Sequence, residues 1–173
     1  MTESTTSLNT FILIAPELAL VAAAIVILLS GAFLGFRSGW MAALLGIAVA
    51  GGFATLQPAD TNLSGPLAID LFSGFIRWMV LSVGALLALV LAGQSRESQR
   101  RHSSTTEEGG VFLLLLCGLS LVGAADDLVL LFAGLELISI PTYILLATGR
   151  TDARGQEASL KYFYLSLMAS GLF

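Results

Sequence analysis

This chain is short of charge. Asp, Glu, Lys and Arg make up 12% of its 173 residues, about half the share usual in a soluble domain, while 56% are hydrophobic. That balance excludes an ordinary soluble domain and places the chain in a lipid bilayer as a multi-pass membrane protein. Cysteine, histidine and lysine occur once each, as Cys117, His102 and Lys161. A lone Cys117 makes no internal disulfide, and inside an apolar run it is expected to be a buried structural thiol. His102 stands in a polar stretch with no second ligand near it, and there is neither a Cys/His cluster nor a glycine-rich phosphate loop. Metal, redox and cofactor sites are therefore not expected in this chain, nor is a nucleic-acid partner. Residues 1–10 carry no Lys or Arg, and the apolar run behind them is longer than the core of a secretory signal, which favours a first membrane helix over a cleaved leader.

Apolar runs predict an all-α, polytopic transmembrane bundle of about six helices. They fall at 11–35, 39–56, 71–93, 109–125 and 128–147, with a sixth opening near Leu160. Pro16 and Glu17 suit the first turn of helix 1, the acid favouring the positive end of the helix dipole. Helix 2 is rich in Ala and Gly, which let neighbouring helices approach closely. Arg77, two turns into helix 3, is expected to snorkel outward or to pair with a neighbour, Asp70 lying on nearly the same face. Asp126 and Asp127 are expected to cap helix 5. Arg37, then Arg96, Arg100 and Arg101, then Arg150 and Arg154 all follow odd-numbered helices. By the positive-inside rule those loops are cytoplasmic and the amino terminus is external. Helix 5 then runs inward and helix 6 outward, as antiparallel neighbours across a short polar loop at 148–159.

Glu136 is the residue that most needs a reason. It lies roughly 13 Å from the Asp126–Asp127 pair at ~1.5 Å per residue, close to the middle of a hydrocarbon core ~30 Å thick. An ionised acid at that depth costs about 2.5–3.5 kcal/mol and has no long stem with which to reach water, so it must be hydrated, paired or protonated. Pro141 removes one amide donor and frees the carbonyl of Leu137 beside the acid, a helix break that Ser139 and Thr142 are close enough to relieve. Lys161 lies in the opening turns of helix 6, where a snorkelling lysine is the plain alternative to a functional one.

The stretch GLELISIPTYILLATGRTDARGQEASLKYFYLSLMASGLF resembles the antiporter-like membrane subunits of proton-pumping NADH:quinone oxidoreductase, respiratory complex I, and subunit N in particular. The pattern G-L-E-L-x-S-x-P-x-Y-x-L, then E-A-x-L-K-Y-F, then a small-residue run ending A-S-G takes in Glu136, Pro141, Tyr143, Glu157, Lys161, Tyr162, Phe163, Ser170 and Gly171. Ser166 stands where members usually carry Gly. The match is specific over 110–173 and diffuse before it.

The resemblance implies the amino-terminal part of a fold of about fourteen helices built on inverted repeats. Residues 1–108 would be three leading helices and a cytoplasmic loop, and 109–173 the start of the first repeat, with helix 6 incomplete about 14 residues into a run that needs about 20. A truncated product and a piece of a longer or split subunit both fit. The implied function is proton translocation coupled to quinone reduction in a bacterial inner membrane. NADH and quinone would be handled by the whole complex, with other membrane subunits, antiporter-like ones among them, and the bilayer as partners. Glu136 and Lys161 would carry the proton chemistry. Two alternatives stay open, a subunit of a multisubunit cation/proton antiporter or membrane hydrogenase, and a non-transporting structural or assembly fragment.

Overall fold

The computed structural model describes residues 13–34, 39–57, 67–68, 70–98, 105–149 and 152–172. Six helices follow one another: α1 (Ala15–Leu34), α2 (Gly39–Thr55), α3 (Leu71–Ser98), α4 (Thr105–Ala124), α5 (Leu128–Gly149) and α6 (Ala153–Leu172). Four have stretches long and apolar enough to cross a membrane, Ala15–Phe33, Leu71–Gln94, Thr106–Ala124 and Leu128–Gly149. With 17 residues, α2 is at the short limit for a span, which runs from about 17 to 25. The first half of α6 carries Arg154, Glu157 and Lys161. Arg37, Arg100, Arg101, His102 and Arg150 lie outside the described residues.

Two of the expected helices lengthen at the expense of the loop between them. α3 continues past Gly93 to Ser98, and α4 begins at Thr105 rather than Gly109. The polar residues there lack apolar periodicity, but they include no proline, and Glu107 and Glu108 in the first turn of α4 face the positive end of its dipole. The expected loop at 148–159 shrinks in the same way. Asp152 caps α6, its Oδ1 accepting from the Gly155 amide at 3.3 Å and its carbonyl from the Gln156 amide at 3.1 Å, so the helix starts ahead of its apolar part.

Asp127 caps α5 as expected, its carbonyl accepting from the Leu131 amide at 2.9 Å. Asp70 does the same for α3: the Ser73 amide donates to its Oδ1 at 2.7 Å, and its own amide donates to Ser73 Oγ at 3.0 Å. The Ser73 amide is the main influence holding the Asp70 carboxyl below its ordinary value of 3.8.

α4 is the central helix and packs against α1, α2, α3 and α5, whereas α6 packs only against α5 among the described helices. The core gathers Leu20, Ala24 and Ile27 of α1, Trp40, Ala43 and Ile47 of α2, Val80, Leu81 and Ala88 of α3, and Leu113, Leu116 and Cys117 of α4. The rings of Trp40 and Phe112 meet at a tilt, their centroids 5.5 Å apart. The outer faces keep large apolar side chains exposed, among them Phe33, Leu45, Phe72, Phe75 and Leu86. In water such a surface would aggregate; against lipid tails it has no hydrophobic cost. At one end of the bundle, Leu67 and Ala125 form an isolated antiparallel bridge, with the Ala68 amide donating to the Ala124 carbonyl at 3.0 Å. The segment before α3 and the α4–α5 turn thus lie on the same side of the membrane.

Small residues set the α4–α5 distance. A Cβ on Gly118 would stand 2.8 Å from the carbonyl carbon of Leu137 and 2.9 Å from the amide nitrogen of Ile138, both backbone atoms that cannot turn aside. Gly134 meets Val122 across the same contact. By contrast, nothing lies within 4 Å of a Cβ on Gly52. Gly118→Ala is expected to destabilise the bundle by about 1–3 kcal/mol through overpacking, while Gly52→Ala is neutral or stabilises it by up to ~1 kcal/mol through helix propensity. Denaturant titration of both variants in the same detergent micelle measures the difference, and equal stabilities would show that the Gly118 contact does not fix the two helices.

Candidate functional site

Two acids stand in the apolar parts of their helices, Glu17 and Glu136, and the structure treats them differently. Glu17, two residues into α1, is buried at 3% exposure and faces Arg77 of α3, buried at 4%. Arg77 Nη2 lies 2.8 Å from Glu17 Oε1 and Nε donates to the same oxygen at 2.9 Å. Ser120 of α4 donates to it as well, at 2.6 Å. Arg77 Nη1 donates to the side-chain oxygen of Gln57, just past α2, and Gln57 Nε2 donates to the Leu13 carbonyl at 2.7 Å. Cys117 is buried next to this cluster, its thiol 3.8 Å from the Glu17 carbonyl. Glu17 Oε2 is buried without a hydrogen-bond partner.

These contacts decide one expectation and correct another. Arg77 does pair with a neighbour, as one branch of the expectation had it, but it does not snorkel and the partner is not Asp70, which is occupied in the α3 cap; the guanidinium turns into the bundle toward α1. Glu17 is not explained by the helix dipole alone, because its carboxylate is the counter-charge of an arginine from a helix that α1 does not otherwise pack against. The cluster was missed because its members are far apart in sequence. The available signal was two opposite charges in apolar runs at similar depths from the same end of the bundle.

Glu136 is half-buried on the side of α5 that meets α6, about 12 Å from the start of its helix at ~1.5 Å per residue. The Ser170 hydroxyl of α6 donates to Glu136 Oε1, and the same hydroxyl lies 3.0 Å from the Ser166 carbonyl. Ser170 belongs to the quoted motif, yet nothing in its spacing identifies it as the partner of the acid. Lys161 is placed elsewhere. Its ammonium lies 2.6 Å from Glu157 Oε1 one turn earlier, and both side chains are mostly exposed, at 71% and 63%. The structure therefore does not bring Glu136 and Lys161 together as an ion pair.

Pro141 is fully buried, and α5 runs unbroken across it, so the expected helix break is not formed. The Leu137–Ile138 peptide one turn earlier is backed by Gly118 of α4, and Thr142 Oγ1 donates to the Ile138 carbonyl at 2.7 Å. The missing amide would have served the Leu137 carbonyl, and close packing against α4 holds the helix there, while the Thr142 hydroxyl serves the next carbonyl along, that of Ile138. On the α5–α6 side, Ser159 Oγ donates to the Tyr143 carbonyl at 3.1 Å, and Tyr143 meets Phe163 edge-on at 5.3 Å. Among the described residues no group of three or more His, Cys, Asp or Glu could hold a metal ion.

Breaking the Glu17–Arg77 pair from one side leaves an uncompensated charge in an apolar bundle, at an expected cost of about 3–5 kcal/mol for Glu17→Met or Arg77→Met. Removing both charges in Glu17→Met/Arg77→Met is expected to cost much less than the sum of the single changes. Unfolding of the three variants in micelles checks this as a double-mutant cycle, and additive losses would show that the two side chains do not depend on each other.

A family model described as NADH:quinone oxidoreductase/Mrp antiporter, TM, matches residues 125–173, the stretch that contains Glu136, Pro141, Lys161 and Ser170. The chain is 33% identical over 162 residues to the NADH-quinone oxidoreductase subunit N of Azorhizobium caulinodans, covering 91% of this chain and 33% of that protein. Similarity to subunit N of Sphingopyxis alaskensis is 33% over 165 residues, covering 92% of this chain and 34% of the relative. The F(420)H(2) dehydrogenase subunit N of Methanosarcina mazei is 32% identical over 172 residues, again covering 92% of this chain and 34% of the relative. The chain thus spans about a third of the length of these curated relatives. Its helical membrane architecture, the family match over α5 and α6, and similarity along nine-tenths of its length agree: the chain belongs to the NADH:quinone oxidoreductase/Mrp antiporter membrane family.

Proposed function

We propose that this chain is part of a membrane subunit of a proton-translocating NADH:quinone oxidoreductase in a bacterial inner membrane, and that Glu136 is its proton-handling acid. The observation that carries this is a carboxyl deep in a membrane helix whose hydrogen-bond partner is a neutral hydroxyl, within the segment that matches the family model. An intramembrane acid without a fixed counter-charge can change its protonation state when a cation approaches or withdraws, because an opposite charge nearby favours the ionised form. Electron transfer from NADH to quinone belongs to other subunits, and this chain contributes to the proton path.

Lys161 takes part in this reading as the cation of the neighbouring helix. It is held by Glu157 and would have to leave that pair to act on Glu136 directly. A lysine is suited to such a step because its ammonium is a compact charge on a flexible stem. Pro141 and the Gly118 contact keep the acid at a fixed depth while its surroundings change. Relatives of this chain serve both an NADH-quinone oxidoreductase and an F(420)H(2) dehydrogenase, which fits a subunit whose role does not depend on the electron donor.

In this reading the α4–α5 turn is external and the α5–α6 turn cytoplasmic. A cysteine at exposed Asp126 should react with an impermeant thiol reagent in intact cells, and one at exposed Ala153 should react only after the membrane is opened. The reverse pattern would invert the orientation. In the complete complex, Glu136→Gln keeps volume and hydrogen bonding but removes the ionisable group, whereas Glu136→Asp keeps it on a shorter stem. At matched complex abundance in vesicles, Gln is expected to lower proton movement and coupled quinone reduction on the order of tenfold or more, and Asp to retain much of both. A fully active Gln variant, with Asp the worse change, would make Glu136 a packing residue.

A further inference from the structure

We propose that Ser170 is a positioning residue that holds the Glu136 carboxyl in both of its protonation states. The inference rests on the assignment of Glu136 as the proton-handling acid. Ser170 has one hydroxyl proton and stands between two oxygens, Oε1 of Glu136 across the helix interface and the Ser166 carbonyl 3.0 Å away on its own helix. A serine hydroxyl donates one hydrogen bond and accepts others, and a helix carbonyl keeps a second lone pair when its amide bond is made. Those properties allow two complete arrangements. With Glu136 ionised, Ser170 donates to Oε1. When a proton binds Glu136, the new carboxyl O–H donates to Ser170 Oγ, and the serine turns its own proton to the Ser166 carbonyl. Glu136 gains or loses one proton, Ser170 keeps its own throughout, and neither state leaves the carboxyl oxygen facing α6 unpaired.

The surroundings leave this role to Ser170. On α6, the charged groups nearest in sequence, Lys161 and Glu157, are paired with each other on its exposed side. On α4, Glu107 and Glu108 lie in the first turn at the opposite end from the α4–α5 turn, and the Cys117 thiol faces the Glu17 carbonyl of α1. A lysine or arginine in place of Ser170 would favour only the anion, and an alanine would hold neither form. Position 166, which supplies the carbonyl, is itself a half-buried serine on the same helix.

The test uses the intact complex in vesicles, with Ser170→Ala, Ser170→Thr and Glu136→Gln compared at matched abundance. Infrared difference spectra of proton uptake should contain a carboxyl C=O stretch that Glu136→Gln abolishes. Losing its hydroxyl partner, that band is expected to move to higher wavenumber in Ser170→Ala and to return toward the original position in Ser170→Thr. Proton movement should fall roughly tenfold in Ser170→Ala, the scale of one hydrogen bond to an ionised group, and recover in Ser170→Thr. An unmoved band in Ser170→Ala would overturn the proposal, because a serine that merely packs α6 leaves the carboxyl vibration alone. A Glu136→Gln variant with full activity and an intact band would overturn the assignment of Glu136 beneath it.

Discussion

A positive charge and a negative charge held out of water near one end of the bundle are the constraint on which the first four helices depend. Arg77 and Glu17 come from α3 and α1, helices that do not pack on each other, so the ion pair crosses the space between them. Burying an arginine requires a counter-charge and hydrogen bonds for its fork, and the bundle supplies both from separate segments: Glu17 from α1 and Gln57 from the end of α2. Ser120 of α4 adds a third donor to the same carboxylate oxygen. α1, α3 and α4 each contribute a residue to the cluster and the segment just past α2 a fourth, so sliding α1 or α3 along its axis would strand a charge.

From α4 the constraint passes to α5 by a different kind of contact. Gly118 brings the two backbones together where Pro141 has removed an amide, and Gly134 answers it from the other side. Apolar surface gives no driving force between helices in lipid, so close approach through glycines supplies the dispersion contact that larger residues would prevent. α6 has no comparable support and rests on α5 alone among the described helices, through Ser159, Tyr143, Phe163 and the Ser170–Glu136 contact. The acid thus sits at the junction of a tightly keyed helix and a lightly held one.

The helical architecture was legible in the sequence because lipid demands long apolar runs, and such runs are local. The midplane acid was legible for the same reason, since a carboxylate inside 128–147 stands out against its neighbours. Helix ends were less so. Polar residues at 94–98 and 153–159 read as loop by hydropathy, yet a helix projecting from a bilayer can continue in polar sequence until capping or a breaker ends it. Partners across helices were hardly legible. Arg77 and Glu17 are 60 positions apart and Glu136 and Ser170 are 34 apart, and only the packing of helices decides who meets whom. Pro141 misled in the opposite direction: its chemistry frees a carbonyl, but whether the helix breaks depends on how closely the neighbouring helix packs there, here through Gly118.

Glu17 and Glu136 together make plain why the presence of a carboxyl inside the bundle does not by itself indicate proton chemistry. Glu17 faces a guanidinium that stays protonated at any physiological pH and donates to it twice, with Ser120 besides. Protonating it would exchange an ion pair for a neutral acid beside an uncompensated arginine, so its charge is tied to the fold. Glu136 faces a hydroxyl, which is neutral and can reverse its hydrogen bond. Protonating it strands no charge and leaves its partner satisfied. A group that must be charged for the bundle to hold cannot also carry protons through a cycle, whereas one whose neighbours tolerate either state can; that criterion is why the proposed proton-handling role goes to Glu136 and not to Glu17.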